Sequence, residues 1–365
     1  MKRIIIGSVM MALLAFAGIQ TASAVAPANS IITNTASLSY TGLVTPITAS
    51  VDVKVLLVPA AATVIAATAV TVAEGQTATL TYQIRANANG PDAYTFNAPT
   101  SVATNVTGSS VPTTPAGITL GATAAAAPAA IGATVITVPA DGTANNSLNG
   151  IIVGDSIVIG GNVYAVAAIT DTATGNQTIT LTTPLTTAVL LGDQMGEQQS
   201  FTVSMTAGVV TPPATAGTEV ISVVSNGSGV GTASAPVAGT VNVVKVVFIK
   251  SVSVNAGAFL TTLQNVKSGD TLTYRMIAQI PANSTLNGVK FTDTIPPFMT
   301  YVLNSTTLDV DGPAGVTAPT AAGDVAGTTP LVGGLQVNSL GQAAGVIAGG
   351  AAGTEVSVDF QVTVD

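Results

Sequence analysis

The chain has 365 residues, of which 47 % are hydrophobic, but only 4 % are aromatic and 7 % are charged. Cysteine, histidine and tryptophan are absent. This composition excludes disulfide bonds, thiolate and imidazole metal sites, and catalysis by Ser-His-Asp or Cys-His groups. The net charge of −8 is spread over a chain with no basic patch, which argues against nucleic acid as a partner. Ala, Val and Thr dominate the chain, and β-branched residues favour sheets over helices.

Residues 1–24 read as a secretory signal peptide. Lys2 and Arg3 precede the apolar run IIIGSVMMALLAFAGI, and residues 22–24 (ASA) match a cleavage site. The exported chain is expected to begin near Val25 and to carry seven of the nine basic residues against 17 acidic ones. No later segment has about 18 consecutive apolar residues, so we predict no membrane span in the mature chain. The expected location is outside the cell or at its surface.

Residues 25–58 are predicted to form an N-terminal β segment of two strands. In IITNTASLSY (31–40), apolar and polar residues alternate with the period of two that is typical of a half-buried strand. Residues 47–57 alternate in the same way. One face of the first strand carries Ile32, Asn34, Ala36, Leu38 and Tyr40. An isolated hairpin is marginally stable in water, so this face must dock either on its own chain or on the next one.

Residues 59–130 and 199–246 are predicted to form a first β-sandwich. The segment TATLTYQI (77–84) alternates strictly, and the turn-forming NANGPD (87–92) follows it. Residues 107–130 are rich in Ser, Pro, Thr and Ala and predict a loop or linker. Residues 131–198 contain short strands separated by glycine turns, including matching Gly-Asp pairs at 154–155 and 192–193. We interpret this segment as a small β module inserted into the first sandwich.

A second β-sandwich is predicted over residues 247–365. It is preceded by VNVVKVVFIKSVSV (241–254), which contains no strand breaker and would span about 45 Å as a single strand. One interpretation is a continuous strand that joins the two sandwiches stiffly; the other is two strands with an unmarked bend. The chain ends in EVSVDFQVTVD (355–365), which places its valines and Phe360 on one face.

Two sequence motifs suggest a family. SGDTLTY (268–274) repeats the pattern of EGQTATLTY (74–82), and VKFTDTIPPFMTYV (289–302) follows the later copy. Together these motifs resemble the immunoglobulin-like repeat of bacterial and archaeal envelope proteins, known as domain of unknown function eleven, over roughly residues 267–310. The first sandwich shares residues 75–82 and NGPD (89–92) but lacks the DTIP turn and carries the insert. The resemblance implies an exported surface protein with tandem β-sandwiches, and it implies no reaction.

Two charged residues are predicted to point toward a core. Lys250 shares a strand face with Phe248 and Val252, and Asp293 shares one with Phe291. Buried charges are rarely unpaired. The alternatives are an ion pair, an intramolecular isopeptide bond between the two side chains, or a lysine that reaches solvent from the strand end. The isopeptide bond would need a nearby carboxyl group as a proton shuttle, and the sequence nominates none.

No cofactor is predicted, with a calcium ion as the alternative. Residues 309–312 (DVDG) have the carboxylate spacing of a calcium loop but lack its remaining ligands and its closing glutamate. Asp92 and Asp171 lie in similar turns, and turn formation alone explains these residues.

The leading functional hypothesis is a non-enzymatic, secreted filament subunit whose N-terminal strands add to a sheet of the neighbouring subunit. Its partner would be a second copy of the chain, with other cell-surface or matrix components as further partners. The alternative is a monomeric surface adhesin or surface-layer component in which the N-terminal strands fold onto their own domain. A third hypothesis, an enzyme built from scattered carboxylates, has no supporting motif.

Overall fold

The structure is a computed structural model that describes residues 26–41, 44–310, 320–321, 329–339 and 342–365. The predicted signal peptide lies outside the described residues. Within them the secondary structure is all-β, with 29 strands and no α-helix. In this part of the chain, no helix is long and apolar enough to cross a membrane.

The N-terminal segment is an antiparallel hairpin. It consists of β1 (Ile31–Leu38) and β2 (Ile47–Lys54), which form a two-stranded sheet of their own. The register pairs Ile32 with Val53 and Leu38 with Ile47. Because side chains alternate across a strand, this register gathers the apolar residues of both strands on one face of the hairpin.

The next 17 strands build the first sandwich and its insert. The sandwich begins with β3 (Thr63–Ile65), β4 (Val70–Ala73), β5 (Thr77–Arg85), β6 (Asp92–Phe96), β7 (Thr100–Thr104), β8 (Val106–Thr107) and β9 (Gly117–Leu120). The insert follows with β10 (Ala122–Ala124), β11 (Val135–Pro139), β12 (Ser156–Ile159), β13 (Asn162–Thr170), β14 (Asn176–Leu181) and the long β15 (Gln194–Thr206). The sandwich resumes with β16 (Val209–Val210), β17 (Ala216–Val223), β18 (Ser225–Asn226) and β19 (Val237–Val244).

The insert shares a sheet with the first sandwich. Strand β15 pairs with β12 in its first half and with β5 in its second half, which gives the order β11-β14-β13-β12-β15-β5-β3. A second sheet, β4-β19-β17-β7, faces the β5–β15 half. Leu80 and Val203 of one sheet pack against Ile221 and Val241 of the other, and all four are buried. A separate apolar cluster, from Ala125 to Met195, forms the core of the insert.

The second sandwich contains the remaining strands. These are β20 (Val247–Val254), β21 (Thr271–Ile280), β22 (Thr285–Leu286), β23 (Lys290–Phe291), β24 (Met299–Tyr301), β25 (Thr307–Val310), β26 (Thr320–Ala321), β27 (Leu335–Gln336), β28 (Ile347–Ala348) and β29 (Thr354–Val364). Its main sheet has the order β20-β21-β29-β25-β26, and the short pairs β22-β28 and β23-β27 supply the facing layer. Val356, Val358, Phe360 and Val362 are buried, as the alternation of the last strand predicts. The architecture is therefore a tandem of immunoglobulin-like β-sandwiches.

Two local predictions differ from the structure. The continuous strand over 241–254 is wrong: β19 ends at Val244 and β20 begins at Val247. The break falls at Lys245 and Val246, where Lys245 N donates to Thr215 O at 3.1 Å. The loop predicted over residues 107–130 contains β9 and β10, which pair with β6 and β15. Partners distant in sequence induce these short strands in a segment whose composition favours loops.

The hairpin and the second sandwich lie at opposite ends of the first sandwich. Strand β5 begins next to Gln76, whose side chain accepts a hydrogen bond of 3.3 Å from Asn287 of the second sandwich. The same strand runs about 30 Å to Arg85, and the turn that follows it holds the base of the hairpin through Asn89. The molecule therefore has a hairpin end and a second-sandwich end.

Candidate assembly surfaces

The base of the hairpin is fixed to the first sandwich by one buried side chain. Asn89, only 3 % exposed, accepts a hydrogen bond from Val58 N (2.7 Å) through its Oδ1. Its Nδ2 donates to the carbonyl oxygens of Ala26 (2.9 Å) and Leu56 (3.1 Å). The main-chain N–H of Ala28 donates to Asn89 O at 2.7 Å. Both arms of the hairpin are thus held by one turn, and the hairpin leaves the body in a defined direction.

Beyond this base, every residue of β1 and β2 is exposed. The apolar face is formed by seven residues in register: Ile32, Ala36, Leu38, Ile47, Ala49, Val51 and Val53. Asn34, opposite Val51, lies on the same face, and Tyr40 is exposed just past the end of β1. Leu38 is 59 % exposed. The structure therefore places the predicted donor residues together on a face that the described part of its own chain leaves open.

The insert approaches the opposite, polar face of the hairpin. Ile31, Thr33 and Asp52 of that face line a cleft of about 360 Å³ together with Gly142 and Asn176 of the insert. Thr33 Oγ1 donates a 2.6 Å hydrogen bond to Asp52 Oδ1 across the two strands. The neighbouring module of the same molecule thus lies next to the polar face, while the apolar face points away from it.

The structure brings Lys250 and Asp293 into contact. Lys250 Nζ lies 2.6 Å from Asp293 Oδ2 and donates to Oδ1 at 2.9 Å. The ammonium also lies 4.9 Å from the centroid of the Tyr274 ring. Burial raises the pKa of Tyr274, and the negative charge of Asp293 adds to that rise. The side chains of Lys250 and Asp293 are 41 % and 13 % exposed, so the pair lies at the margin of the sandwich and not in its interior.

The candidate calcium ligands do not converge in the described part of the chain. There, no group of three or more carboxylate, imidazole or thiol side chains is close enough to hold a metal ion. Asp92 Oδ1 accepts from Ser228 N at 3.1 Å, and Asp171 Oδ2 accepts from Asn145 N at 2.7 Å. Asp311 and Gly312 of the DVDG motif lie outside the described residues. Asp92 and Asp171 therefore accept hydrogen bonds from main-chain groups that are distant in sequence.

The two matching Gly-Asp pairs and a third pair at residues 269–270 form the same turn. In each, the aspartate carboxylate accepts a hydrogen bond from the main-chain N–H three residues earlier: Asp155 from Ile152 (2.8 Å), Asp193 from Leu190 (2.7 Å) and Asp270 from Lys267 (2.9 Å). The preceding glycines have φ values of 97°, 84° and 88°, a region that side chains disfavour. The sequence marks these turns clearly because the geometry requires both residue types.

Glu197 is a buried titratable residue that the sequence analysis did not identify. It lies in β15 where the sandwich meets the insert, and its Oε2 accepts from Gly121 N at 2.8 Å. Burial raises the pKa of Glu197 to about 7; the Asp155 carboxylate acts in the same direction and the Gly121 N–H in the opposite one. No sequence signal separates this glutamate from the polar residues around it.

No family model matches the chain, and no curated protein matches it. The chain is similar to the C-terminal domain of the AgI/II polypeptide BspA of Streptococcus agalactiae, with 14% identity, 83% of this chain and 90% of that chain covered, and a TM-score of 0.34. It is similar to the C-terminal domain of the antigen I/II-family protein AspA of Streptococcus pyogenes, with 13% identity, 83% of this chain and 90% of that chain covered, and a TM-score of 0.29. It is also similar to the collagen adhesin CNA of S. aureus, with 11% identity, 84% of this chain and 81% of that chain covered, and a TM-score of 0.18. TM-scores this low establish no relationship, and the description of the fold comes from the chain's own topology.

Proposed function

We propose that this protein is a secreted, non-enzymatic subunit of an extracellular filament and that the N-terminal hairpin joins one subunit to the next. The observation that carries the proposal is the hairpin itself, which is anchored at its base and open along its whole apolar face. Large apolar surfaces rimmed by polar residues mark interaction sites. Among the described residues, no further strand pairs with either outer edge of the hairpin, and edges with unpaired main-chain groups favour pairing with another strand.

The free energy of association favours the addition of a strand over contact between apolar faces alone. Burying the exposed half of Ile32, Leu38, Ile47, Val51 and Val53 contributes about 1 kcal/mol for each residue. The sum of about 5 kcal/mol only approaches the cost of association, which is about 4–15 kcal/mol. Main-chain hydrogen bonds add about 1 kcal/mol each, so a docked strand makes the contact favourable where a docked face does not.

The position of the hairpin favours an open polymer. It lies at one end of the first sandwich, and the second sandwich lies at the other end. A head-to-tail contact between different surfaces produces filaments when its rotation does not close a ring. The alternative of a monomeric adhesin, with the hairpin folded back on its own domain, requires burial of the apolar face, and those residues are exposed.

Negative-stain microscopy of matched variants of the full chain tests the proposal. Leu38→Asp places a charge on the apolar face of β1, whereas Ser37→Asp places it on the polar face of the same strand. Both positions are exposed, so both variants are expected to fold. Filaments from the wild type and Ser37→Asp, with single particles from Leu38→Asp, support the proposal. Equal filaments from all three, or filaments from none, would overturn it.

A further inference from the structure

The geometry points to the open edge of β20, in the second sandwich of a neighbouring copy, as the surface that receives the hairpin. This inference rests on the proposed function, because it names the acceptor of the same contact. It concerns the stretch of β20 that precedes Val252, together with the margin of the second sandwich beside it, where Phe248 of one layer meets Phe291 of the other. Its occupant is a second copy of this chain.

One side of β20 is largely unpaired. Along its inner side the strand pairs with β21 over its full length, from Val247–Gln279 to Val254–Leu272. Along its outer side, the described residues form one isolated bridge, between Val252 and Leu260. Main-chain N–H and C=O groups alternate in direction along a strand, so Phe248 and Lys250, in step with Val252, turn theirs outward without a strand partner among the described residues. An edge of this kind accepts an added strand.

The side chains along this edge are only partly covered by their own sandwich. Phe248 lies on the face of β20 that is directed toward the core. It is an even number of residues from Val252 and Val254, which share that face and pack against the core. Phe248 is nevertheless 60 % exposed. The centroid of its ring lies 5.9 Å from that of Phe291 in the facing layer. The two layers of the sandwich thus leave an aromatic residue uncovered at their margin.

The contact between Lys250 and Asp293 spans the same margin. Lys250 belongs to the main sheet, and Asp293 follows β23 of the facing layer. Asp293 N donates to Leu331 O at 3.3 Å, and the adjacent Val332 is exposed. The ion pair therefore holds the two layers together beside the open edge. It is bordered by the exposed apolar residues Phe248 and Val332, which an added strand would cover.

The hairpin covers this edge in length and fits it in pattern. Strand β1 has eight residues, about 27 Å, whereas the open stretch of β20 has five, about 17 Å, so one hairpin strand is long enough to cover it. Ile32, Ala36 and Leu38 of β1 lie on one row that only Asn34 interrupts, so a strand paired with β20 continues the row of Phe248 mainly with aliphatic side chains. The polar face of the hairpin then faces solvent on the outer side of the sheet. Because donor and acceptor are at different ends of one molecule, each added copy presents a new free hairpin.

A single substitution separates this edge from other exposed surfaces. Phe248→Asp places a charge at the proposed acceptor, and Phe298→Asp is the matched control, because Phe298 is 83 % exposed at the opposite end of the main sheet. Val102→Asp tests the rival edge strand β7, whose residues are all exposed. We expect Phe248→Asp to weaken assembly about tenfold or more, with Phe298→Asp and Val102→Asp within about twofold of the wild type. If circular dichroism shows that Phe248→Asp is folded and the variant assembles as the wild type does, the assignment of β20 as the acceptor is overturned.

A mixing experiment separates the acceptor from the donor. In a hairpin-shortened variant of the full chain, residues 31–54 are replaced by Asn-Gly; this keeps the base intact, because Val55 N donates to Ser30 O at 2.9 Å. This variant has only an acceptor, and Phe248→Asp has only a donor. Light scattering is expected to show monomers of each variant alone and one-to-one dimers in the mixture. Failure of the shortened variant to lose self-assembly would refute the proposed function, whereas loss of self-assembly without dimers in the mixture would refute the β20 acceptor alone.

Discussion

The side-chain carbonyl of Asn89 accepts a 2.7 Å hydrogen bond from the main-chain N–H of Val58. The amide nitrogen of the same side chain donates to Ala26 O and Leu56 O on the two arms of the hairpin. A turn that closes two strands of the sandwich core therefore also sets the direction of the exposed ribbon. In the proposed filament, Asn89 would set the direction in which the hairpin meets the neighbouring subunit.

Substitution Asn89→Ala is expected to loosen the hairpin base. It removes three hydrogen bonds at a buried position and leaves main-chain groups unpaired, at a cost of about 1–3 kcal/mol. Hydrogen exchange at residues 26–30 and 55–58 should accelerate. Asn87→Ala is the control, because Asn87 lies in the same turn and donates to Ala61 O and Thr63 Oγ1, which lie outside the hairpin. Equal acceleration in both variants would contradict the role of Asn89.

The Lys250–Asp293 contact is expected to be an ion pair without a covalent bond. An isopeptide bond would release one water molecule, whereas the two intact side chains lie at ion-pair distance, with Lys250 Nζ 2.6 Å from Asp293 Oδ2. The intact mass of the mature chain should therefore equal the mass of its sequence. A double-mutant cycle with Lys250→Met and Asp293→Asn should give a coupling of no more than about 1 kcal/mol, because the lysine is 41 % exposed. A mass lower by one water molecule, abolished by Lys250→Met, would establish the covalent alternative.

Glu197 is expected to make stability depend on pH. Its pKa of about 7 in the folded chain lies above the value of 4.5 for an unperturbed glutamate, so folding favours the protonated carboxyl. The stabilisation that the neutral carboxyl provides is complete below pH 4.5 and is lost as the pH rises toward about 7. The Tm of the wild type should fall across this window relative to that of Glu197→Gln, whose neutral amide oxygen still accepts from Gly121 N. Parallel Tm curves for the two proteins would show that folding does not raise the pKa of Glu197.

Replacement of the glycine in a Gly-Asp turn by alanine is expected to lower the free energy of unfolding. Gly269 has φ 88° and open space around its Cα, so Gly269→Ala introduces backbone strain without a steric clash. The expected loss is about 1–2 kcal/mol. Gly333→Ala is the control, because Gly333 has equally open surroundings and an ordinary φ. Chemical denaturation of the two variants measures the difference; equal midpoints would show that the turn tolerates a side chain.

Alternation with period two predicted the hairpin, β5 and β29 because one face of each strand differs in polarity from the other. The same pattern predicted that Lys250 and Asp293 point toward a core, and the structure adds that this part of the core lies at an open margin. That margin depends on how far the facing layer extends, which no local pattern encodes. Strands β9 and β10 were not predicted, since their partners β6 and β15 decide their conformation. The direction of the hairpin was not predictable, because it depends on a turn 31 residues beyond Val58.

Hydrogen exchange of the assembled protein distinguishes a hairpin that adds its strand to a neighbouring copy from one that does not. Amides of residues 31–38 and 47–54 are to be compared between filaments and the monomeric Phe248→Asp variant. We predict strong protection in filaments for those outward-facing amides of one hairpin strand that pair with the neighbour, with fast exchange of the same amides in the monomer. Equal exchange of the hairpin amides in intact filaments and in the monomer would show that the hairpin does not pair with a neighbouring copy.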